Sequence, residues 1–167
     1  MSEVRKMQQR IGLAPGGKTG DVLAQEIIQR FPQGVTVTKA TLNRFYAQVD
    51  KGMLLKLANF MKEHQDFEHV TSVGGVDWLA EKKMQVVYHI TSYANKVTAE
   101  LVVDLPRDKP EVDSITPLWG GANWHERETW DMFGIVFIGH PKLERLLNPD
   151  GTEVFPFRKD FVSGRRV

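Results

Sequence analysis

The chain has 167 residues, with 22 Lys or Arg against 21 Asp or Glu, and a length that suits a single hydrophobic core. Its 41% apolar and 26% charged residues exclude a disordered or collagen-like chain, and a formal charge of +1 provides no long-range field for nucleic acid. With no cysteine there is no disulfide, no thiolate nucleophile and no iron–sulfur cluster of the usual thiolate-bound kind.

No apolar run approaches the roughly 20 residues that cross a bilayer, and the N-terminus lacks an apolar signal core, so a soluble chain or one held to a membrane through partners is expected. Residues 1–20 are polar and glycine-rich and read as an irregular tail. Val22, Leu23, Ile27, Ile28 and Phe31 recur at helical spacing between Asp21 and Pro32, which predicts an amphipathic helix. Residues 35–38 and 43–49 carry the β-branched and aromatic residues of two strands.

Asp50 is placed to cap a helix over 51–64 with Leu54, Leu55, Leu57, Ala58, Phe60 and Met61 on its apolar face. Strands are predicted over 69–76, 84–92 and 96–105, the last two joined across Tyr93-Ala94-Asn95. Short connections favour a mostly antiparallel or mixed sheet with helices on one face, a two-layer α+β domain. A helix from Ala122 to about Phe133 ends at Gly134. Beyond it, residues 139–167 are rich in Pro, Gly and charge, with the basic pairs Arg158-Lys159 and Arg165-Arg166, and read as an extended arm that lies on another protein. The organisation is therefore a tail over 1–20, a domain over 21–138 and an arm over 139–167.

Two short patterns suggest chemistry that their surroundings do not support. Gly12 to Thr19 fits the letters of a phosphate-binding loop, with Lys18 and Thr19 for phosphate and Mg²⁺, but the polar run before it is unlike the buried strand such a loop requires. His125-Glu126 begins a zinc-protease helix motif, yet Thr129 stands where the second histidine belongs. In the helix itself Trp124, Glu128 and Asp131 share a face, and Arg127 can reach Asp131 one turn on. Glu128 and Asp131 could act as an acid–base pair, form solvated intrahelical ion pairs, or belong to a charged network covered by a partner.

The sequence from Ala122 to Glu128, then Asp131-Met132-Phe133-Gly134-Ile135, Gly139-His140-Pro141, Arg145-Leu146-Leu147 and Pro156-Phe157-Arg158-Lys159-Asp160, resembles the signature of the C subunit of complex I, the thirty-kilodalton subunit. Weaker similarity extends back through Ser114-Ile115-Thr116, Leu105-Pro106-Arg107 and Val76-Asp77, covering roughly residues 35–162. The chain departs from many relatives at Val154-Phe155, where those have a glycine two places before the proline.

The resemblance implies an α+β subunit with no catalytic residue, no metal and no cofactor of its own. It would pack against the homologue of the complex I D subunit, beside the B subunit homologue, with iron–sulfur clusters and FAD or FMN in partner subunits. The complex would pass electrons from F420H2, NADH or ferredoxin to a quinone or methanophenazine, coupled to ion translocation, and would hold this chain peripherally at the cytoplasmic face of the membrane. A membrane-bound hydrogenase is the alternative setting, and a small nucleotide-binding protein the alternative class. On this reading Trp124, Glu126, Arg127, Glu128, Asp131, His140, Pro141, Arg145, Pro156, Arg158, Lys159 and Asp160 form the signature and interface set, tying helix and arm together or to the D subunit.

Overall fold

A computed structural model describes Gly12 and residues 17–162. The expected tail over 1–20 lies largely outside the described residues, as does the Arg165-Arg166 pair. Helix α1 spans Gly20–Arg30 and buries Leu23, Ala24 and Ile27, while Val22 and Ile28 of its expected apolar face stay exposed. Strands β1 (Val35–Ala40) and β2 (Arg44–Val49) form an antiparallel hairpin.

The expected cap at Asp50 is absent: its side chain makes no capping bond, and Lys51–Met53 forms a 3₁₀ turn before α2 begins at Leu54. Gly52 explains the delay, since a residue without Cβ disfavours the α-helix, and the Met53 N–H bonds the Asp50 carbonyl instead. Helix α2 (Leu54–His64) buries Leu54, Leu57, Ala58 and Met61.

Strands β3 (His69–Trp78), β4 (Lys83–Ser92) and β5 (Val97–Pro106) follow as an antiparallel meander. The five strands form one sheet in the order β1-β2-β5-β4-β3, and the parallel pairing within that sheet, β2 with β5, joins the hairpin to the meander. Along β4 and β5 burial alternates strictly: Met84, Val86, Tyr88, Ile90 and Val97, Ala99, Leu101, Val103, Leu105 face the helices. The opposite face carries half-buried polar rows, among them Ser72, His89 and Glu100, hydrogen-bonded across three strands. The helices cover one face, as the alternation requires.

Two three-residue strands, β6 (Glu111–Asp113) and β7 (Val136–Ile138), pair in parallel as a separate sheet too short to show in the sequence pattern. Between them α3 (Ala122–Phe133) packs on β3, and Gly134, at φ 74°, ends it in the left-handed conformation that glycine tolerates. Thr129 Oγ1 donates to the Val73 carbonyl of β3 at 3.1 Å, and Trp119 Nε1 to the Phe67 carbonyl in the connection before β3 at 3.0 Å, so this region is tied to the main sheet and to the segment that leads into it.

Helix α3 comes close to β3 at Gly75, where an added Cβ would lie 2.7 Å from the Phe133 ring, whereas Gly74 has open space. Gly75→Ala is expected to destabilise the fold by about 1–3 kcal/mol through overpacking, and Gly74→Ala by less than about 0.5 kcal/mol. Urea unfolding of the two variants checks the difference; equal midpoints would refute the packing argument.

Candidate interaction site

Helix α3 presents two buried carboxylates on different sides. Glu126 lies beneath the loop that follows β6 and accepts hydrogen bonds from Ser114 Oγ, the Ile115 N–H at 2.8 Å and Thr116 Oγ1 at 2.9 Å. Burial pushes its carboxyl up, and these three donors only partly oppose the shift. The His140 imidazole is also buried, with Nε2 4.0 Å from Glu126 and 3.3 Å from the Asn123 carbonyl. Its Nδ1 accepts the Lys142 N–H at 3.0 Å, which makes it the neutral tautomer with the proton on Nε2. Burial lowers the imidazole pKa in agreement, so the Glu126–His140 contact is not an ion pair.

Asp131 organises the other side. One oxygen accepts the backbone N–H groups of Leu146, Leu147 and Asn148 at 3.0, 2.7 and 3.0 Å; the other accepts Arg145 Nη1 at 2.8 Å and Asn148 Nδ2 at 2.9 Å. Burial alone would raise this carboxyl, but the bonds from Arg145 and Asn148 outweigh it and hold the pKa well below the usual carboxylate range. Arg145 also donates to the Asp131 and Thr152 carbonyls, and its guanidinium lies between the rings of Trp130 and Phe155, at 5.0 and 5.1 Å.

The expected Arg127–Asp131 pair therefore does not form. Arg127 instead donates to the carbonyls of Glu144 and Arg145 at 3.2 and 3.0 Å and stacks on Trp124 at 5.0 Å. The arm crosses α3 and offers Arg127 two carbonyls, while the 145–148 turn offers Asp131 more donors than one guanidinium could. Nor do Trp124, Glu128 and Asp131 share an environment, since the first two are exposed and Asp131 is sealed under the arm.

A third carboxylate, Asp77 on β3, belongs to the same arrangement; the family similarity touches Val76-Asp77 and Arg107, but it does not show that the two pair. Arg107 holds it with two bonds at 2.7 and 2.9 Å and holds Asp160 with a third at 2.7 Å, while the Lys159 N–H adds one at 2.8 Å. The Arg107 hydrogen bond is the main cause of the depressed Asp77 pKa. Arg158 Nε donates to the Phe133 carbonyl at 2.7 Å, and its guanidinium lies over Phe155 at 4.9 Å. Phe155, which follows the departure from the family pattern at Val154, thus lies against two arginines. Pro141 and Glu128 are exposed, and Pro156 is half-buried in the arm.

This arrangement has little capacity for acid–base catalysis. Asp131 is occupied by five donors and Glu126 by three, and Glu128 stands at the surface. Among the described residues no cluster of His, Cys, Asp and Glu is placed to hold a metal ion. Lys18 of the phosphate-loop pattern pairs with Glu26 at 2.6 Å, and its N–H donates to Asn95 Oδ1; the loop from 13 to 16 lies outside the described residues. No described helix is long and apolar enough to cross a membrane.

The α+β layer with a signature helix clasped by an arm defines a class, and comparison with known proteins assigns the chain within it. A family model described as the respiratory-chain NADH dehydrogenase, 30 Kd subunit, matches residues 47–167, and the chain belongs to that family. It is 36% identical over 141 residues to the C subunit of the F420H2 dehydrogenase of Methanosarcina mazei, covering 83% of this chain and 89% of the relative. It is 44% identical over 114 residues to the NADH-quinone oxidoreductase C subunit of Roseiflexus sp., covering 66% of each. Among solved structures, a trypsin-resistant fragment of Nqo5 matches with a TM-score of 0.64 at 26% identity, over 72% of this chain and 98% of the fragment. A chain of the membrane-bound sulfane sulfur reductase, an archaeal respiratory membrane complex, shares the fold with a TM-score of 0.76 at 24% identity, over 86% of this chain and 85% of that one.

The pH dependence of stability follows from these carboxylates. Asp77 and Asp131 have depressed folded-state pKa values, so their contribution is fully present above the unfolded value near 4 and is lost as pH falls below it. Glu126 has a raised value, so its effect has the opposite sign: stability is lost as pH rises through its folded pKa. Asp131→Asn is expected to cost about 3 kcal/mol at pH 7 and to flatten the loss between about pH 4 and pH 2. Denaturant titrations across that range measure both, and an unchanged acid limb in the variant would contradict the assignment.

Proposed function

We propose that the protein is a non-redox structural subunit in the peripheral arm of a complex I-like respiratory dehydrogenase. It packs against the D subunit homologue, next to the B subunit homologue, and reaches the cytoplasmic face of the membrane through the complex. Iron–sulfur clusters and flavin belong to the partner subunits, which carry electrons from F420H2, NADH or ferredoxin toward a quinone or methanophenazine. Family membership supports this setting, and the relatives' names include both F420H2 and NADH-quinone enzymes.

The observation that carries the structural role is the division of labour on α3 and the arm. The buried signature carboxylates are saturated by donors of the same chain, while Trp124, Leu147 and Phe157 are left 61%, 62% and 56% exposed. Saturated carboxylates fix shape, and exposed large side chains supply contact area.

The chain is expected to copurify with iron–sulfur subunits and to show no turnover alone. Arg127→Ala, which removes two bonds to the arm and the contact with Trp124, should lower its retention in the complex and the donor-to-quinone activity severalfold. Activity of the isolated chain, or unchanged assembly and activity with the variant, would rule out the scaffold role; native purification with mass spectrometry of the subunits and an activity assay supplies both readouts.

A further inference from the structure

The end of the arm crosses β3 and leaves a groove of about 490 Å³, with Gly75, Asp77, Phe133, Phe157, Arg158 and Lys159 in its wall. Its carboxylates are already engaged, because Arg107 holds both Asp77 and Asp160. Its other cations are not. Arg158 uses Nε on the Phe133 carbonyl, and among the described residues neither its guanidinium nor the Lys159 ammonium has a carboxylate within 4.0 Å.

Arg158 is half-buried with its guanidinium carbon 4.9 Å from the centre of the Phe155 ring, so its remaining N–H groups are partly removed from water, and among the described residues they have no hydrogen-bond partner to replace it. Burial, with the nearby Arg107 charge, pushes its pKa down, and the charges of Asp160 and Asp77 oppose this only in part. Beside it, Phe157 meets Phe133 edge-on at 5.6 Å and exposes more than half of its surface.

We propose that this groove receives an acidic segment of a neighbouring protein subunit, with one Asp or Glu carboxylate bridging Arg158 and Lys159 and an adjacent apolar side chain resting on Phe157. The inference rests on the chain being part of a larger complex. Charge selects the occupant: Arg107, Arg158 and Lys159 against Asp77 and Asp160 leave one positive charge, which a single carboxylate neutralises and a phosphate dianion would exceed. The planar guanidinium matches a carboxylate's two oxygens, and the ring beside it suits a peptide better than a free anion.

Carbodiimide treatment of the native complex tests the contact directly. The reagent activates a carboxyl group, the Lys159 amine displaces the urea by-product, and an amide bond forms only between groups in near contact. Mass spectrometry is expected to find the Lys159 peptide joined to an Asp or Glu of another subunit. Independently, Lys159→Glu should weaken retention of the chain at raised ionic strength by roughly tenfold, with Lys159→Gln intermediate. The Lys159 side chain has no described intrachain partner, so these variants leave the clasp on α3 intact. A Lys159 link confined to its own chain or to a second copy, no link at all, or wild-type retention of Lys159→Glu overturns the proposal while the complex itself stands. If the native chain joins no complex, both this contact and the scaffold role fall.

Discussion

A carboxylate buried in the last turn of α3 sets the terms for the C-terminal third of the molecule. Asp131 has no exposed surface, and an isolated buried charge costs several kcal/mol, so the chain must return to it with donors in position. The 145–148 turn does this with three backbone amides, one guanidinium and one side-chain amide. That requirement explains why Gly134 adopts a positive φ: the chain must reverse at once, and any side chain there would strike the Phe155 ring or Arg158. Arg145 and Arg158 then lie against Phe155, and the Arg158 bond to the Phe133 carbonyl closes the helix end.

The three inward carboxylates illustrate how environment rather than residue type decides a role. Asp77 and Asp131 are surrounded by fixed cations and amides that favour the charged form. Glu126 meets only neutral donors and a neutral imidazole, and burial prevails. All three satisfy backbone groups that would otherwise be stranded where loops cross secondary structure, a task that turns demand and catalysis does not. The outward side chains of the same segment follow another rule, leaving surface that one chain does not cover.

Much of this is legible in the sequence where local physics dominates. The strict alternation of β4 and β5 and the stop at Gly134 follow from short-range pattern, and the signature from Ala122 to Asp160 marks helix and arm together. What local pattern does not show is partnership. Arg127 lies one turn from Asp131, yet carbonyls of the arm compete for it, and residues 14–17 positions away supply the actual partners of Asp131. Asp77 and Arg107, thirty residues apart, meet because β3 and the end of β5 flank the same strand. Nothing in their neighbourhoods announces that pairing. The β6–β7 sheet escapes for a simpler reason: three residues are too few for a period to be visible.

The parallel contact between β2 and β5 has a kinetic meaning. The β1–β2 hairpin with α1, and the β3–β4–β5 meander, each close through neighbouring segments, whereas β2 must find β5 across the whole of α2 and two intervening strands. Loop closure on that scale costs entropy before any contact repays it, so late joining of two locally formed halves is the natural order of folding. Until they join, β5 presents an unpaired edge, and a nascent chain is most exposed to wrong strand pairing in that interval.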